Sequence, residues 1–489
     1  MMFRTSPYLS TVLAFAIVSF FIGELGDGLN IFQGIYLVNI GWNEGAIGIA
    51  LSLMGFTALI CQTFAGDLID KAEHFFDRRK ILVLAAIITA CSALAIMFVR
   101  DDGSNTGHGF MYITKVIEGM ASSFIQPCLA ALTLANYGDD KFDSVMANNV
   151  LWGHIGSAVS AILAGNAAYW LYPNIKSCFY VIALSAICAV LFVQFVPEGD
   201  TKLGRGLKTN NHDNDLLEKK DENNPSCQNT TTNNNESETP TTYLSVLSEP
   251  KTLVLCLTGF FFHLSNANVL LVLGELMSKN GDDDNNNNNN NDDNADAANR
   301  NAIPLVSGAF LIAQATMSLA TVVTNYYTKR GVGRKVLLIV GLVSLPIRCA
   351  LLIYWVDAGN MYLLSTQILD GIGGGFFGIL HPYIVADITF GTGRFNLIMG
   401  LTASCFGMGA TFSNLLGQHV VEHMGHTASL WASLILSFAP ILIFILFMPE
   451  TYHTRGDNNN KVEGNNSQPN NNNGTSTNDD NNNNGYVLA

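Results

Sequence analysis

Long apolar segments dominate this sequence and set the strongest limit on its fold. Runs of membrane-spanning length recur along the chain, separated by polar or Gly/Pro-containing turns. The first six lie at about 9–38, 44–66, 80–99, 109–137, 147–172 and 176–197. The other six lie at about 250–278, 302–328, 335–356, 360–389, 395–421 and 427–448. With 49% hydrophobic and only 13% charged residues, the chain is predicted to be an all-α membrane protein with twelve transmembrane helices.

Polar, low-complexity segments divide the apolar array. We expect an N-terminal six-helix bundle at 1–197, a disordered cytoplasmic loop at 198–249 and a C-terminal six-helix bundle at 250–448. An Asn/Asp-rich outer loop is expected at 279–301, and a disordered cytoplasmic tail at 449–489. The net charge of −14 lies largely in these segments, so it indicates no nucleic-acid partner.

Positive charge predicts the orientation of the helices. Most of the 25 Lys and Arg residues, including clusters at 71–80 and 329–335, fall on one side if both termini are cytoplasmic. The chain is therefore predicted to be a multi-pass protein with both termini in the cytoplasm. A plasma membrane and an organelle membrane both fit this prediction.

Similar short motifs recur in the two halves in the same chain order, which indicates an internal repeat. The matched motifs are Glu118-Gly119 with Asp370-Gly371, Arg79-Lys80 with Arg334-Lys335, and Asn149-x-x-x-Gly153 with Asn396-x-x-x-Gly400. The repeat predicts two pseudo-symmetric six-helix bundles.

One loop of the sequence resembles a known family. Gly66-Asp-Leu-Ile-Asp70-Lys71, followed by Arg78-Arg79-Lys80, is similar to the signature loop between helices 2 and 3 of the major facilitator superfamily. It departs from that pattern by carrying residues 72–77 where a single glycine is expected. The resemblance implies alternating access between two bundles, with helices 1, 4, 7 and 10 around a central cavity.

The same resemblance predicts a cytoplasmic gating loop. It implies that Asp70 and Arg79 latch the cytoplasmic ends of the bundles. Arg78, Arg334 and Arg394 are predicted to act in the same region. The cationic loops also have a simpler interpretation, because retention of positive charge in the cytoplasm requires them for topology alone.

Ionisable and strongly polar side chains inside the apolar segments are candidates for the solute and proton pathway. A charge at mid-membrane costs about 2.5–3.5 kcal/mol on insertion scales, so each needs a partner, a cavity or a role. The candidates are Glu24, Asp27, Lys115, Glu118, His154, His263, Asn266, Arg348, Asp370 and His381. The alternative is structural: Lys115 and Glu118 can pair locally at i, i+3, and a lone helix histidine can be a satisfied hydrogen-bond partner.

Depth in the membrane predicts one specific ion pair. At 1.5 Å per residue, Arg348 lies about 12 Å and Asp370 about 15 Å from the outer ends of adjacent helices. We therefore expect the two side chains to pair.

These features favour a secondary transporter of a small organic solute, energised by protons or another ion. A transport-dead sensor or scaffold with the same fold is the alternative. No nucleophile elbow or phosphate loop is present, so neither enzyme activity nor a cofactor is expected. The cluster His419, Glu422, His423 and His426 is interpreted as interfacial, and no metal site is predicted. We expect a monomer in the lipid bilayer.

Overall fold

The computed structural model describes most of the apolar array. The described residues are 11–27, 30–42, 44–72, 77–99, 105–172, 174–207, 240–283 and 292–452. All of them belong to one compact unit. Most of the low-complexity sequence, at 208–239, 284–291 and 453–489, lies outside the description, as do the side chains of Glu24 and Asp27.

The membrane helices are numbered α1 to α12 in chain order. The first six are α1 (Thr11–Asp27 and Asn30–Asn39), α2 (Glu44–Asp70), α3 (Arg78–Ala95), α4 (Asn105–Ser122 and 125–137), α5 (139–170) and α6 (Tyr180–Val193). The other six are α7 (Pro250–Asp283), α8 (Asp292–Lys329), α9 (Arg334–Tyr354), α10 (Asn360–Ser365 and Gln367–Thr389), α11 (Phe395–Met424) and α12 (His426–Leu436 and Phe438–Phe447).

Helix length and hydropathy confirm the membrane prediction. Ten described helical stretches are long and apolar enough to span a bilayer, and one of them, His108–Trp170, contains both α4 and α5. The shorter apolar helix Thr11–Gly23 supplies α1. Large apolar side chains such as Leu319, Ile435 and Leu446 lie exposed on the outside of the bundle, where lipid would cover them.

The connection between α4 and α5 differs from the prediction. Helical structure resumes at 139 rather than 147, after a single non-helical residue, Gly138. Gly138 has φ 61°, a left-handed conformation that favours glycine. The early start of α5 buries Phe142 and Met146, which a solvent-exposed turn would have left in water.

Two predicted loops are also shorter than expected. The prediction of a disordered loop over 198–249 is wrong at its ends, because 198–207 contain the short helix Leu203–Arg205 and 240–249 contain the helix Tyr243–Leu247. The predicted outer loop at 279–301 is shortened because α7 continues to Asp283 and α8 begins at Asp292. The low hydrophobicity of these segments led to the prediction of disorder, but composition does not show that their backbone can form hydrogen bonds to the bundle.

Close helix packing joins the two halves. α2 packs on α11, and α5 packs on α8. A Cβ placed at Gly400 would overlap the carbonyl oxygen of Gln62, and one at Gly66 would overlap that of Asn396. Glycine at these positions therefore allows the α2 and α11 backbones to approach closely.

Gly400→Ala is expected to lower the free energy of unfolding by about 1–3 kcal/mol, because the added methyl group overpacks the α2–α11 contact. Thermal unfolding of the purified protein in detergent measures the change. Gly407→Ala is the matched control, since a Cβ there meets Leu59 at an ordinary 3.7 Å. Equal unfolding temperatures for the two variants would contradict the close-packing interpretation.

Candidate functional site

Asp70 links the first half of the molecule to the second. It is the last residue of α2 and is 2% exposed. Its carboxylate accepts hydrogen bonds from the backbone nitrogens of Asn396 at 3.1 Å and Leu397 at 2.9 Å. The Asn396 side chain donates a third bond, at 2.8 Å. Because the first N–H groups of a helix lack intrahelical partners, the carboxylate caps α11 and meets the positive end of its dipole.

A second polar link joins the halves at the same end of the bundle, which we call the linked face. The guanidinium of Arg334, at the start of α9, contacts Asp143 of α5 at 2.5 Å and Asp387 of α10 at 3.0 Å. Tyr383 donates a hydrogen bond to the backbone oxygen of Asp143. Arg334 is nearly fully buried, so its two carboxylate partners compensate its charge.

The chain between the halves adds two docked segments. The first strap, residues 198–207, follows α6. Its Asp200 nitrogen donates to Ala135 of α4 at 2.9 Å, and its Gly206 oxygen accepts from Gly391 at 2.7 Å. Its Gly204 oxygen accepts from the Asn396 side chain at 3.0 Å. The first strap therefore contacts both halves.

The second strap, residues 240–247, precedes α7 and docks on the end of α2. The Tyr243 hydroxyl donates to Asp67 at 2.8 Å, and the Arg394 guanidinium lies 3.9 Å from the Tyr243 ring centroid. Arg394 also lies 3.6 Å from Asp67. A hydrogen bond from Lys71 to the same carboxylate raises the pKa of Lys71. Arg394 thus contacts the first half through Asp67, in the region predicted from sequence.

The other two predicted gating residues bind within the first half and to the first strap. Arg79 pairs with Glu198 at 2.5 Å and with Asp77 at 3.2 Å. Buried Arg78 donates to the backbone oxygen of Thr201 at 3.2 Å. Asp70 therefore contacts the second half, as the resemblance implied, whereas the side chain of Arg79 is held by Glu198 of the first strap and by Asp77. The latching role of the two residues stays a prediction.

A cavity of about 200 Å³, which we call the central cavity, lies between α1, α4, α5 and α10. Its polar lining residues are Ser19 of α1, Gln126 of α4, and Asn149, His154 and Ser157 of α5. Gly378 of α10 also lines it. The resemblance implied that α1, α4, α7 and α10 surround the cavity. Of these four helices, α1, α4 and α10 contribute to the described lining of this cavity, α7 does not, and α5 contributes much of it.

A buried ion pair occupies the second half. Arg348 donates to Asp370 at 2.6 Å and to Asn266 at 2.8 Å, and Asn266 donates to Asp370 at 3.1 Å. The side chain of Arg348 is 1% exposed and that of Asp370 is 15% exposed. The pair predicted from depth is thus confirmed, and Asn266 of α7 completes a triad.

Comparison with known proteins decides the family. The sequence profile described as Major Facilitator Superfamily matches residues 8–277 and 255–470, so it matches both halves. The chain belongs to the major facilitator superfamily. It is therefore a multi-pass integral membrane protein and a secondary transporter, in a superfamily whose members are generally non-enzymatic carriers of small solutes.

One related sequence and one solved structure support the assignment to this superfamily. An uncharacterised MFS-type transporter of Mycobacterium tuberculosis, from strains CDC 1551 / Oshkosh and H37Rv, is 28% identical over 442 residues, which cover 90% of this chain and 93% of the relative. The solved structure of the proton:xylose symporter XylE, bound to 6-bromo-6-deoxy-D-glucose, superposes with a TM-score of 0.64 at 14% identity. That match covers 93% of this chain and 99% of XylE, and it supports the twelve-helix fold.

The structure places Lys115 and Glu118 inside the first half of this transporter. The two side chains form the i, i+3 ion pair at 2.7 Å, each 1% exposed, and Lys115 also donates to Gln33 of α1. Neither residue is among those that line the central cavity, and neither is Asp370.

Gln33→Leu is expected to lower the free energy of unfolding by about 1.5–3 kcal/mol, because Lys115 loses a hydrogen bond that involves a charged group. Gln418→Leu is the matched control, because Gln418 donates to the neutral Asn268 and should cost only about 0.5–1.5 kcal/mol. Thermal unfolding of both variants measures the difference. A smaller loss for Gln33→Leu than for Gln418→Leu would contradict it.

The three predicted histidines have different surroundings. His154 bonds Gln314 of α8 at 2.7 Å and so joins α5 to the second half. His381 bonds Thr402 at 2.6 Å, and the rings of His263 and His381 both lie against Phe406. His263 and His381 therefore pack inside the second half, and His154 alone of the three lines the central cavity.

Other candidates are outside the site or outside the description. Glu24 and Asp27 lie on α1, and their side chains are not described. His419, Glu422 and His423 are exposed near the end of α11, with possible ligand atoms within 4.8 Å of one another. His426 pairs with Glu275 at 2.9 Å instead of joining them. The interfacial interpretation of this cluster stays a prediction.

Sequence reasoning missed several residues of the linked face and cavity. Asp143, Asp387 and Tyr243 were not singled out, although each binds an arginine that was. Asp143 had a signal: Lys141-Phe142-Asp143 matches Arg394-Phe395-Asn396 without gaps. The earlier match of Asn149 with Asn396 is wrong in register, because Asn149 lies almost three turns after the start of α5 at 139, whereas Asn396 is the second residue of α11.

Proposed function

We propose that this protein carries a small organic solute across a membrane by alternating access, driven by proton movement. The observation that carries the proposal is a pair of inter-half links, from Asp70 to α11 and from Arg334 to Asp143, in a bundle that also contains the central cavity. Both links consist of side-chain contacts that can break and re-form without unfolding a helix. Two packed halves with such breakable links can expose a shared cavity to either side in turn.

Open surface grooves lie between the halves at the other end of the bundle. One of about 480 Å³ lies between α2 and α11, beside Gly48 and Thr411, and one of about 270 Å³ lies between α5 and α8, beside Gly165 and Ser307. The inter-half contacts of Asp70 and Arg334 close the linked face in this structure. Since the cationic clusters at 71–80 and 329–335 adjoin this face, we assign it to the cytoplasm, together with both termini.

The triad of Asn266, Arg348 and Asp370 is our candidate for the proton-coupling site. Asp370 is the partly exposed member of a buried pair, so it is the member that a proton from solvent can reach. Protonation would weaken its bond to Arg348 and release the cation to Asn266, whose oxygen already accepts from the same guanidinium nitrogen. That XylE is a proton:xylose symporter is consistent with a proton-driven carrier of this fold.

The domain division and the oligomeric state belong to the same proposal. We place the halves at 1–197 and 250–448, joined by 198–249, and we expect each monomer to hold a complete pathway. Buried apolar side chains form two clusters that largely follow this division, one in the first half and one mainly in the second.

Proteoliposome transport tests the function and the coupling site together. Purified protein is reconstituted, an inside-alkaline pH gradient is imposed, and uptake of radiolabelled xylose, glycerol, lactate and choline is compared with solute counterflow at equal pH. Gradient-driven accumulation of at least one solute is expected. Asp370→Asn should abolish accumulation but keep counterflow, because the neutral side chain no longer takes up a proton.

Glu422→Gln is the matched control, since Glu422 is an exposed carboxylate outside the triad. It should transport as the unmodified protein does. Accumulation that persists in Asp370→Asn would refute the coupling site. Absence of both accumulation and counterflow for every solute would favour the sensor or scaffold alternative.

A further inference from the structure

The central cavity displays hydrogen-bonding groups whose partners are missing from the described part of the protein. They belong to Ser19 and Asn149, which line the cavity and are each 1% exposed. Because an unpaired buried polar atom costs about 1–3 kcal/mol, such atoms in a cavity wall indicate a ligand that completes them.

Asn149 offers an acceptor in a fixed orientation. Its amide nitrogen donates to the hydroxyl of Thr133 at 2.9 Å, which determines the direction of the carboxamide. The other atom of the carboxamide, Oδ1, has no hydrogen-bond partner among the described residues. A ligand that binds here must therefore present an O–H or N–H group to this oxygen.

Ser19 offers a hydroxyl that can donate or accept. Buried serines in the other helices commonly satisfy themselves by bonding a carbonyl one turn earlier, as Ser265 does to Phe261 at 2.8 Å. The hydroxyl of Ser19 makes no such bond. Gln126 of α4, an exposed residue, also lines the cavity and has a carboxamide with both donor and acceptor groups.

The described lining and the size favour a small ligand that forms hydrogen bonds. Of the lining residues that the structure describes, His154 alone has an ionisable side chain, so they offer an ion little counter-charge at this depth. A cavity of about 200 Å³ is smaller than the roughly 300–1,000 Å³ of sites for drug-sized ligands. A wholly apolar solute would leave Asn149 and Ser19 unpaired.

We infer that the central cavity binds an uncharged polar solute, smaller than a typical drug, whose hydroxyl or amide groups bond Asn149 and Ser19. This inference rests on the proposed transport function and names the substrate class of the same cavity. A site of this type discriminates strongly against analogues that lack the hydrogen-bonding group, because its own polar atoms are then left unpaired.

Thermal stabilisation of the purified protein measures binding without requiring transport. The neutral probes are xylose, xylitol and propionamide, and the charged probes are choline and lactate. At least one neutral probe is expected to stabilise the protein, and the charged probes are not. Asn149→Leu, similar in volume but without the acceptor, should weaken neutral-probe affinity by about tenfold or more.

Ser19→Ala provides a second variant if Asn149→Leu does not fold, and it should weaken affinity by about threefold to tenfold. Ser265→Ala is its matched control, because that hydroxyl is satisfied within its own helix and lies outside the cavity. Its affinity should equal that of the unmodified protein. An unchanged affinity in both cavity variants would overturn the inference.

Stabilisation by choline or lactate alone, or by none of the neutral probes, would also overturn it. Failure of the inference and failure of the proposed function remain separable. Binding of xylitol without flux would refute the transport function and keep the cavity chemistry, whereas gradient-driven uptake of choline or lactate would do the reverse.

Discussion

Arg334→Ala is expected to open the linked face. Removing one partner of a buried charge network costs about 3–5 kcal/mol, because Asp387 stays buried and Asp143 loses its cation. If that cost falls on the closed state, the equilibrium shifts more than 100-fold towards the state open at this face. Labelling of a cysteine introduced at Met146, on the cavity lining of α5, measures this opening. A maleimide added from the linked face should react with Met146→Cys much faster in the Arg334→Ala variant than in the protein that retains Arg334.

Lys335→Ala is the matched control for this prediction. Lys335 is the adjacent cation on α9, and its amine donates to the backbone oxygen of Ile445. Its removal should leave the labelling rate at position 146 unchanged. Size-exclusion chromatography and helical circular dichroism confirm that each variant is folded. Equal labelling of Met146→Cys in both variants would show that Arg334 does not hold the linked face closed.

The Arg348–Asp370 pair is expected to show strong coupling between mutations. Arg348→Ala alone should lower the free energy of unfolding by about 3–5 kcal/mol, since the Asp370 carboxylate stays in the membrane interior without its cation. The double variant Arg348→Ala/Asp370→Ala should recover most of this stability, because no uncompensated charge remains. Gradient-driven accumulation should be lost in both variants, because the Arg348–Asp370 pair that is proposed to couple transport to protons is broken.

Unfolding temperatures and proteoliposome uptake of the two single variants and the double variant complete the cycle. Additive stability losses in the double variant would mean that the two side chains act independently. Recovery of transport in the double variant would show that the pair is structural and that the coupling site lies elsewhere.

Sequence predicted those features that single segments or pairs of segments determine. The number of helices followed from segment length, because a bilayer demands about 20 apolar residues for each crossing. The Arg348–Asp370 pair followed from helix rise alone, since two charges at one depth on adjacent helices need each other. Asp70 was identified through the resemblance of its loop, and the structure supplied its partner, the first turn of α11.

The features that sequence did not predict depend on contacts between distant segments. The cavity groups on Ser19 and Asn149 are neutral, and such residues are common in helices, so nothing in the sequence separates them from self-satisfied ones. The predicted register of the repeat was wrong because it rested on the Asn and Gly shared by 149–153 and 396–400. The correct register follows from 141–143 and 394–396, which share a cation, a phenylalanine and an Asp or Asn in sequence. The structure places Phe142 and Phe395 in ring contact at 5.7 Å, which relates the starts of α5 and α11.

Through the two straps, the segment that connects the halves contributes to closing the linked face. The first strap belongs to the first half and ends on Gly391 and Asn396 of the second. The second strap belongs to the second half and ends on Asp67 of the first. Each half thus contributes one strap that binds the other half. Opening this side requires the contacts of both straps to break, so the free energy of opening depends on the connecting segment as well as on the helices.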